Sequence, residues 1–113
     1  MNRSGVPRFG DYVWMDFDHQ AGHEQKGRRP ALVLSQEGFN RVAGVAYVCP
    51  ITSRDKGFPF HIKIPDGEPV SGFILADHLK SLDYRARKIE FAGQASSAML
   101  QRVLDTCHTI MEG

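Results

Sequence analysis

The feature that most constrains the fold is a change of hydrophobic period near residue 95. Before this point, short apolar runs of strand length alternate with turns rich in glycine and proline. After it, apolar residues recur every three or four positions, as in an amphipathic helix. A chain with this order of elements is expected to form a small β structure that ends in one helix.

The predicted strands are runs of β-branched and aromatic residues bounded by turn formers. They cover residues 9–17, 31–35, 45–52, 60–64, 73–76 and 89–91. Pro50, in the third run, indicates an edge or a bulge, because proline lacks the amide hydrogen that a ladder needs. Residues 19–30 are predicted to be a long loop, residues 38–44 a turn, and residues 53–59 a second polar loop.

The C-terminal segment predicts one amphipathic helix, with Ser96 or Ser97 as its N-cap. Its apolar face is expected to carry Met99, Val103, Leu104, Cys107, Ile110 and Met111. Five or more short strands before it predict a mainly β fold, a small and strongly curved sheet or barrel with the helix over one opening. At 113 residues, the chain is expected to be a single domain over residues 1–113, with residues 1–8 flexible.

Charge and cysteine usage limit the classes of function. The net charge of +1 gives no general argument for nucleic acid, so any such argument must come from local clusters. No apolar run approaches the ~18–20 residues of a membrane span, and residues 1–10 lack the apolar stretch of a signal peptide. Cys49 and Cys107 are far apart in the sequence, which indicates buried thiols in a reducing cytoplasm rather than a disulfide framework.

Two polar segments carry residues that suit phosphate chemistry. In residues 23–30, Glu24 precedes Arg29 by five positions, so a base and an anion clamp could surround one phosphate. In residues 50–60, Thr52 and nearby cations could hold phosphate while an aromatic ring stacks on a base. Each segment, taken alone, is equally compatible with an ordinary solvated loop.

A third segment, residues 80–88, is the most basic stretch of the chain. It contains four basic residues and one acidic residue, which gives a local charge of +3. They are Lys80, Arg85, Arg87 and Lys88 against Asp83. Such a run is compatible with a patch that binds phosphates or with an ordinary solvated surface.

Metal and cofactor chemistry has little support in the sequence. Only His19 and His23 are close together, and Gly22 lies between them in a predicted loop, so no helix would hold both on one face. Neither a Gly-x-Ser-x-Gly elbow nor a phosphate-binding glycine motif is present. We therefore expect no metal and no cofactor.

Short motifs follow one another along residues 10–87. They are Gly10-Asp11-x-x-Trp14-x-Asp16-Phe17, Glu24-Gln25-x-Gly27-x-Arg29-Pro30, Pro50-x-Thr52, Lys56-Gly57-Phe58-Pro59-Phe60, Ala76-Asp77-x-x-Lys80-Ser81-Leu82 and Arg85-x-Arg87. Together and in this order, they resemble the MazF/PemK toxin family. Two departures are Phe58, where tyrosine is common, and Arg28, a second cation beside Arg29.

The resemblance implies an SH3-like or CcdB-like barrel that usually forms a homodimer. It implies a ribosome-independent, sequence-specific endoribonuclease that cuts single-stranded mRNA. Such an enzyme uses no divalent metal and leaves a 2′,3′-cyclic phosphate and a free 5′-hydroxyl. It acts as the toxin of a type II toxin–antitoxin pair, inhibits translation and growth, and is bound by an antitoxin with an acidic inhibitory segment.

The resemblance also assigns catalytic roles to Glu24, Arg29 and Thr52. Metal-free cleavage needs the 2′-hydroxyl deprotonated, the charged phosphorane stabilised and the leaving 5′-oxygen protonated. Glu24 is expected to take the 2′-proton, while Arg29 and Thr52 hold the phosphate oxygens. The leaving-group acid stays open between His23, Arg29 and water.

RNA binding is expected from aromatic stacking and from phosphate contacts. Trp14, Phe17 and Phe58 are the candidates for stacking, although Trp14 could equally be a core residue. The full set of predicted RNA-binding residues is Trp14, Asp16, Phe17, Gln25, Arg28, Ser53, Arg54, Lys56, Phe58, Asp77, Lys80, Arg85 and Arg87. The alternatives are a non-catalytic CcdB-like gyrase poison and an inactive SH3-like binding module.

Overall fold

Seven strands form one antiparallel sheet in the computed structural model, which describes residues 5–17 and 27–113. The strands are β1 (Asp11–Phe17), β2 (Gly27–Val33), β3 (Ala46–Thr52), β4 (His61–Lys63), β5 (Phe73–Leu75), β6 (Lys80–Leu82) and β7 (Glu90–Gln94). Helix α1 spans Glu37–Ala43 and helix α2 spans Ser97–Glu112. Two short 3₁₀ turns occupy Ala76–His78 and Tyr84–Ala86.

The order of the strands in the sheet is β4-β5-β3-β2-β1-β7, and β6 also pairs with β3. This arrangement confirms the predicted mainly β fold that ends in a helix. Among the described residues, no ladder joins β4 to β7, so the sheet is open and not a closed barrel.

The sheet buries both of its faces, and successive residues of one strand enter different cores. Tyr12 and Leu32 belong to the cluster that also contains Val103 of α2. Val13 and Met15 belong to a second cluster on the opposite face. Because both faces are covered, β1 is apolar at nearly every position and does not alternate with polar residues.

Of the two predicted caps of helix α2, Ser96 is the one used, since its hydroxyl accepts a hydrogen bond from the Met99 amide at 3.2 Å. Met99, Val103 and Cys107 lie on the sheet and are buried. The remaining apolar residues of the predicted face are exposed, namely Leu104, Ile110 and Met111. The contact stripe is therefore narrower than predicted. No helix in residues 5–17 and 27–113 is both long and apolar enough to cross a membrane.

The predicted turn over residues 38–44 is wrong, because Glu37–Ala43 forms α1. The helix has seven residues and contains Gly38 and Asn40, which are weak helix formers, so its periodic signal is short. Asn40 is buried, and its side-chain amide donates to the carbonyls of Pro7 at 2.9 Å and Ser35 at 3.1 Å. Tertiary contacts through this side chain therefore hold the helix.

Two further boundaries differ from the prediction. Residues 27–30 were assigned to a loop, but they form the start of β2 because they pair with the end of β1, Phe17 opposite Gly27. Strand β6, within the basic segment, was missed because it has only three residues. Its own sequence carries no strand pattern, and the strand is formed by pairing with Ala46–Val48 of β3.

Pro50 lies in a central strand, so the predicted edge position is wrong. On one side β3 pairs with β2. On the other side its partner changes from β6, opposite residues 46–48, to β5, opposite residues 51–52. Pro50 stands at this change of partner, where a missing amide hydrogen is tolerated.

Part of the segment that is predicted to be flexible makes packing contacts in the structure. Val6 is buried in the second core cluster, and Pro7 is buried beside Asn40. The Arg8 amide donates to the Asp11 carboxylate at 2.9 Å. Residues 5–8 are thus packed, while residues 1–4 lie outside the described part of the chain.

Candidate active site

Arg29 and Thr52 lie at the neighbouring ends of β2 and β3. The ladder between these strands pairs Val33 with Val48 and ends with Ala31 opposite Pro50. Continued by two residues along each strand, this register would set Arg29 opposite Thr52. Directly opposed residues share a face of the sheet, with Cβ atoms about 5 Å apart. We call this pair the strand-end site.

Thr52 is held in a defined orientation. It is 3% exposed, and its hydroxyl oxygen accepts a hydrogen bond from the Arg54 amide at 3.3 Å. This bond uses one of the two acceptor positions of the hydroxyl, which has its O–H as a separate donor. Gly72 lies close by with a φ of 123°, and a Cβ there would be 2.5 Å from the Thr52 carbonyl oxygen. Only glycine fits this approach.

Arg28 lies on the opposite face of β2 and is engaged by carboxylates. Its guanidinium contacts Asp16 at 3.1 Å and Glu90 at 2.9 Å, and it donates to the Lys88 carbonyl at 2.9 Å. The hydrogen bonds to Asp16 and Glu90 raise the pKa of Arg28 further above its ordinary value. Arg28 and Arg29 are adjacent in the sequence, but they point to opposite faces of β2. The sequence alone did not show this difference.

Two predicted residues, Glu24 and Gln25, lie outside the described residues, as does His23. The predicted base and one candidate for the acid thus have no described position. The strand-end site is described through Arg29 and Thr52 alone.

The three aromatic candidates are placed differently. Trp14 is 39% exposed and lines a groove of about 420 Å³ together with Pro30 and residues 64–71. Phe58 is 45% exposed and packs edge-to-face on Phe60 and His61. Phe17 is only 1% exposed and lies in the second core cluster, which goes against the predicted stacking role for its ring. Trp14 is thus available to a base, and the alternative of a core position for it is wrong.

The members of the basic segment contact different elements. Arg85 lies over the Tyr84 ring at 5.6 Å and donates to the Arg41 carbonyl of α1. Arg87 donates to the Asp16 carbonyl of β1 at 3.0 Å. Lys80 is in β6, paired opposite Val48.

A second polar site, which we call the histidine groove, is not predicted by any sequence motif. It is a concavity of about 400 Å³ lined by Lys56, Phe58, His61, Asp77 and His78. Of these, Lys56, Phe58 and Asp77 were predicted to bind RNA. Ser53 and Arg54 are exposed in the same loop as Lys56. His61 and His78 carried no signal, because they are far apart in the sequence and only the fold brings them together.

Cys49 and Cys107 are both buried and free, as predicted. The two thiols are hydrogen-bonded to each other, so they form a contact between β3 and α2. The hydrogen bond to Cys107, together with burial, raises the pKa of the Cys49 thiol well above its ordinary value. This keeps Cys49 protonated and unreactive at neutral pH.

Comparison with known proteins assigns the chain to a family. The sequence profile of the "PemK-like, MazF-like toxin of type II toxin-antitoxin system" matches residues 8–111. The chain belongs to the PemK/MazF toxin family. The resemblance seen in the motifs is thereby confirmed, and it extends to α2.

Curated relatives and solved structures of the PemK/MazF family agree with this assignment. The endoribonuclease toxin MazF of Escherichia coli strain K12 is 40% identical over 98 residues, 87% of either chain. The crystal structure of MazF from Deinococcus radiodurans is 46% identical and has a TM-score of 0.90, covering 96% of this chain and 98% of that one. A MazE-MazF crystal structure from the same organism is 47% identical with a TM-score of 0.83, covering 94% and 96%.

Proposed function

We propose that this chain is a sequence-specific endoribonuclease that cleaves single-stranded mRNA without a divalent metal. The products are a 2′,3′-cyclic phosphate and a free 5′-hydroxyl. One observation carries the proposal: the β2–β3 register, which ends with Ala31 opposite Pro50, would set the guanidinium-bearing Arg29 opposite the hydroxyl-bearing Thr52 if continued by two residues. The MazF relative at 40% identity, which is named an endoribonuclease toxin, supports it.

In the proposed reaction, Glu24 takes the proton of the 2′-hydroxyl, and the oxygen attacks the adjacent phosphate. Arg29 presents its fork of donors to the non-bridging oxygens, where negative charge develops. Thr52 donates its hydroxyl proton to the same phosphate, since its oxygen already accepts from the Arg54 amide. The leaving 5′-oxygen takes a proton from His23, Arg29 or water.

The proposed path of the RNA uses exposed groups on either side of the strand-end site. Trp14 offers a ring to a splayed base in the groove beside residues 64–71. Ser53, Arg54 and Lys56 are exposed in the loop that follows Thr52, where they can reach phosphates. Because Arg28 is bound by two carboxylates, its contribution to RNA binding is expected to be smaller.

The proposed cellular role is that of a cytoplasmic toxin that inhibits translation and growth. The MazE-MazF structure of Deinococcus radiodurans supports an antitoxin partner, which we expect to bind through an acidic segment that competes with RNA. A further expectation is a homodimer. Exposed apolar side chains line a groove of about 570 Å³ that includes Phe39, Tyr47, Leu104 and Met111, and such a surface favours a protein contact.

The first experiment incubates the purified chain with a long, mixed-sequence RNA in EDTA. Parallel reactions use Glu24→Ala, Arg29→Ala and, as a matched control, Arg102→Ala, since Arg102 is an exposed arginine of α2. We expect discrete fragments with 2′,3′-cyclic phosphate ends from the wild type and from Arg102→Ala only. The fragment ends also reveal the recognised sequence.

Intact RNA after incubation with folded wild-type protein would contradict the proposal and favour a gyrase poison or an inactive binding module. Cleavage by Arg29→Ala at the wild-type rate would contradict the assignment of the strand-end site. For the dimer, size-exclusion chromatography with light scattering compares the wild type with Met111→Glu. We expect the variant to run as a monomer, and an unchanged mass would exclude this surface.

A further inference from the structure

The histidine groove contains three side chains of the types that bind transition metals. His61, Asp77 and His78 each present one ligand atom, and these atoms all lie within 4.8 Å of one another. The pairing of β4 with β5 explains the cluster, because His61 pairs opposite Leu75 and the 3₁₀ turn with Asp77 and His78 follows directly. Backbone pairing, rather than a chance meeting of long side chains, therefore sets the positions.

The distances within the cluster suit one small cation. His61 Nε2 is 3.0 Å from Asp77 Oδ1, and His78 Nε2 is 3.7 Å from Asp77 Oδ2. Nitrogen and oxygen ligands of a tetrahedral zinc ion, each about 2.0–2.1 Å from the metal, are separated by about 3.3 Å. Small rotations of the side chains would place all three ligand atoms around one ion.

Buried histidine nitrogens in the cluster lack hydrogen-bond partners within the described residues. The His61 side chain is 5% exposed, and neither of its ring nitrogens is hydrogen-bonded. Its contact with Asp77 is close, but it is too poorly aligned to be a hydrogen bond. The Nδ1 atom of His78 is buried in the same way. A buried nitrogen without a partner is costly, and a bound ion would supply the partner for His61.

The charges around the cluster select the kind of ion. Asp77 brings the one carboxylate of the cluster, and the cation of Lys56 lines the same groove. Ions that depend on several carboxylates, such as Mg²⁺ and Ca²⁺, are therefore poorly served here. Zinc and similar ions bind imidazole nitrogens well, and two of the three ligands are imidazoles.

The geometry also leaves room for a fourth ligand. The groove of about 400 Å³ is open beside the three ligands, with Lys56 and Phe58 as its remaining lining. Phe58 packs edge-to-face on His61 with ring centroids 5.1 Å apart, which restricts the rotation of the imidazole. A water molecule fits the open position.

We propose that His61, Asp77 and His78 form a binding site for a divalent transition-metal ion, zinc being the best fit. Its three ligands differ from Glu24, Arg29 and Thr52, the residues to which the proposed cleavage assigns catalytic roles. Its ligands come from β4 and from the turn after β5, whereas Arg29 and Thr52 lie on β2 and β3.

The test measures metal binding by the full, untagged chain, with no RNA present. Zinc affinity is determined by competition with a chromophoric chelator, and Co²⁺ is used as a spectroscopic probe of tetrahedral coordination. We expect one ion per chain at this site, with affinity reduced about tenfold or more in His78→Gln and in Asp77→Asn. The matched control is His108→Gln, an exposed histidine of α2 that contacts Glu112 and should not change the affinity.

His61→Gln is a third variant, but the residue is buried, so circular dichroism must first show that the variant folds. If His61→Gln does not fold, the test rests on His78→Gln and Asp77→Asn. The proposal is overturned if the folded wild type binds neither Zn²⁺ nor Co²⁺, or if both of these variants bind as the wild type does. Loss of binding in a His19→Gln/His23→Gln double variant would also overturn it. Because RNA cleavage is not the readout, failure of the metal site and failure of the proposed function are distinguishable.

Discussion

The strand-end site and the histidine groove are both polar, but they differ in the hydrogen bonds of their buried polar atoms. At the strand-end site, the Thr52 hydroxyl accepts a hydrogen bond from the Arg54 amide, and Arg29 is held in β2 by its pairing with Met15 of β1. In the histidine groove, buried imidazole nitrogens have no hydrogen-bond partner among the described residues. The hydrogen bond from the Arg54 amide orients the Thr52 hydroxyl. The unpartnered imidazole nitrogens call for an explanation, and a bound ion is the one that the ligand types beside them favour.

The largest expected effect separates the two adjacent arginines. Arg29→Ala should lower kcat for RNA cleavage by about 10²–10³-fold, as expected when one donor to a developing oxyanion is removed. Arg28→Ala should have a much smaller effect that appears in KM, because Asp16 and Glu90 already hold its guanidinium. Steady-state kinetics on a short oligonucleotide check both values. An equal loss in the two variants would show that the faces of β2 do not differ in function.

Thr52→Val should lower kcat by about 10²-fold, because valine keeps the shape of threonine but donates no proton to the phosphate. Thr52→Ser, which keeps the hydroxyl, should recover most of the activity. Urea unfolding of the valine variant should show a loss of about 1 kcal/mol, because the Arg54 amide loses its acceptor. If valine and serine were equally active, the hydroxyl would have no catalytic role.

Zinc should stabilise the fold through the histidine groove and not through the strand-end site. At a free zinc concentration of 100 times the Kd, linkage predicts a gain of about 2.7 kcal/mol in the free energy of unfolding. Arg29→Ala should keep this gain, whereas Asp77→Asn should lose it. Urea unfolding with zinc and with EDTA measures the difference. A gain that depends on Arg29 would mean that the two sites are coupled.

The smallest effect is a pH dependence in the absence of metal. Burial lowers the pKa of His78 below the ordinary value of 6.5, with Lys80, His61 and Lys56 acting in the same direction and Asp77 against them. As the pH falls below 6.5, the unfolded chain therefore binds a proton at this residue before the folded chain does, and stability decreases. His78→Gln in EDTA should lose less stability over this range. Urea midpoints across the range test the prediction, which an identical slope in the two proteins would contradict.

Local signals in the sequence were sufficient for part of the fold. Strand β1 and the Ser96 cap of α2 were predicted because propensity and hydrogen bonding within a few residues decide them. Helix α1 and the start of β2 were not predicted, because contacts with distant residues hold them: Asn40 with Pro7, and Gly27 with Phe17. Where tertiary pairing overrides local propensity, sequence patterns are a weak guide.

The candidate site was predictable to a similar extent. The motifs predict Arg29 and Thr52 as site residues, and the structure places them at the neighbouring ends of β2 and β3. Phe17 was assigned to base stacking, but it is buried, because alternation along β1 cannot identify the exposed face when both faces are covered. His61 and His78 meet only through the pairing of β4 with β5, which no local pattern encodes.

The pairing of β1 with β7 has a consequence for synthesis on the ribosome. Asp11 pairs with Gln94, and the core beneath Tyr12 is completed by Val103 and Cys107 of α2. Because the chain emerges N-terminus first, residues 29 and 52 are made well before the strands and helix that fix them in place. We therefore expect a nascent chain to be harmless to the message that encodes it until synthesis has passed Cys107.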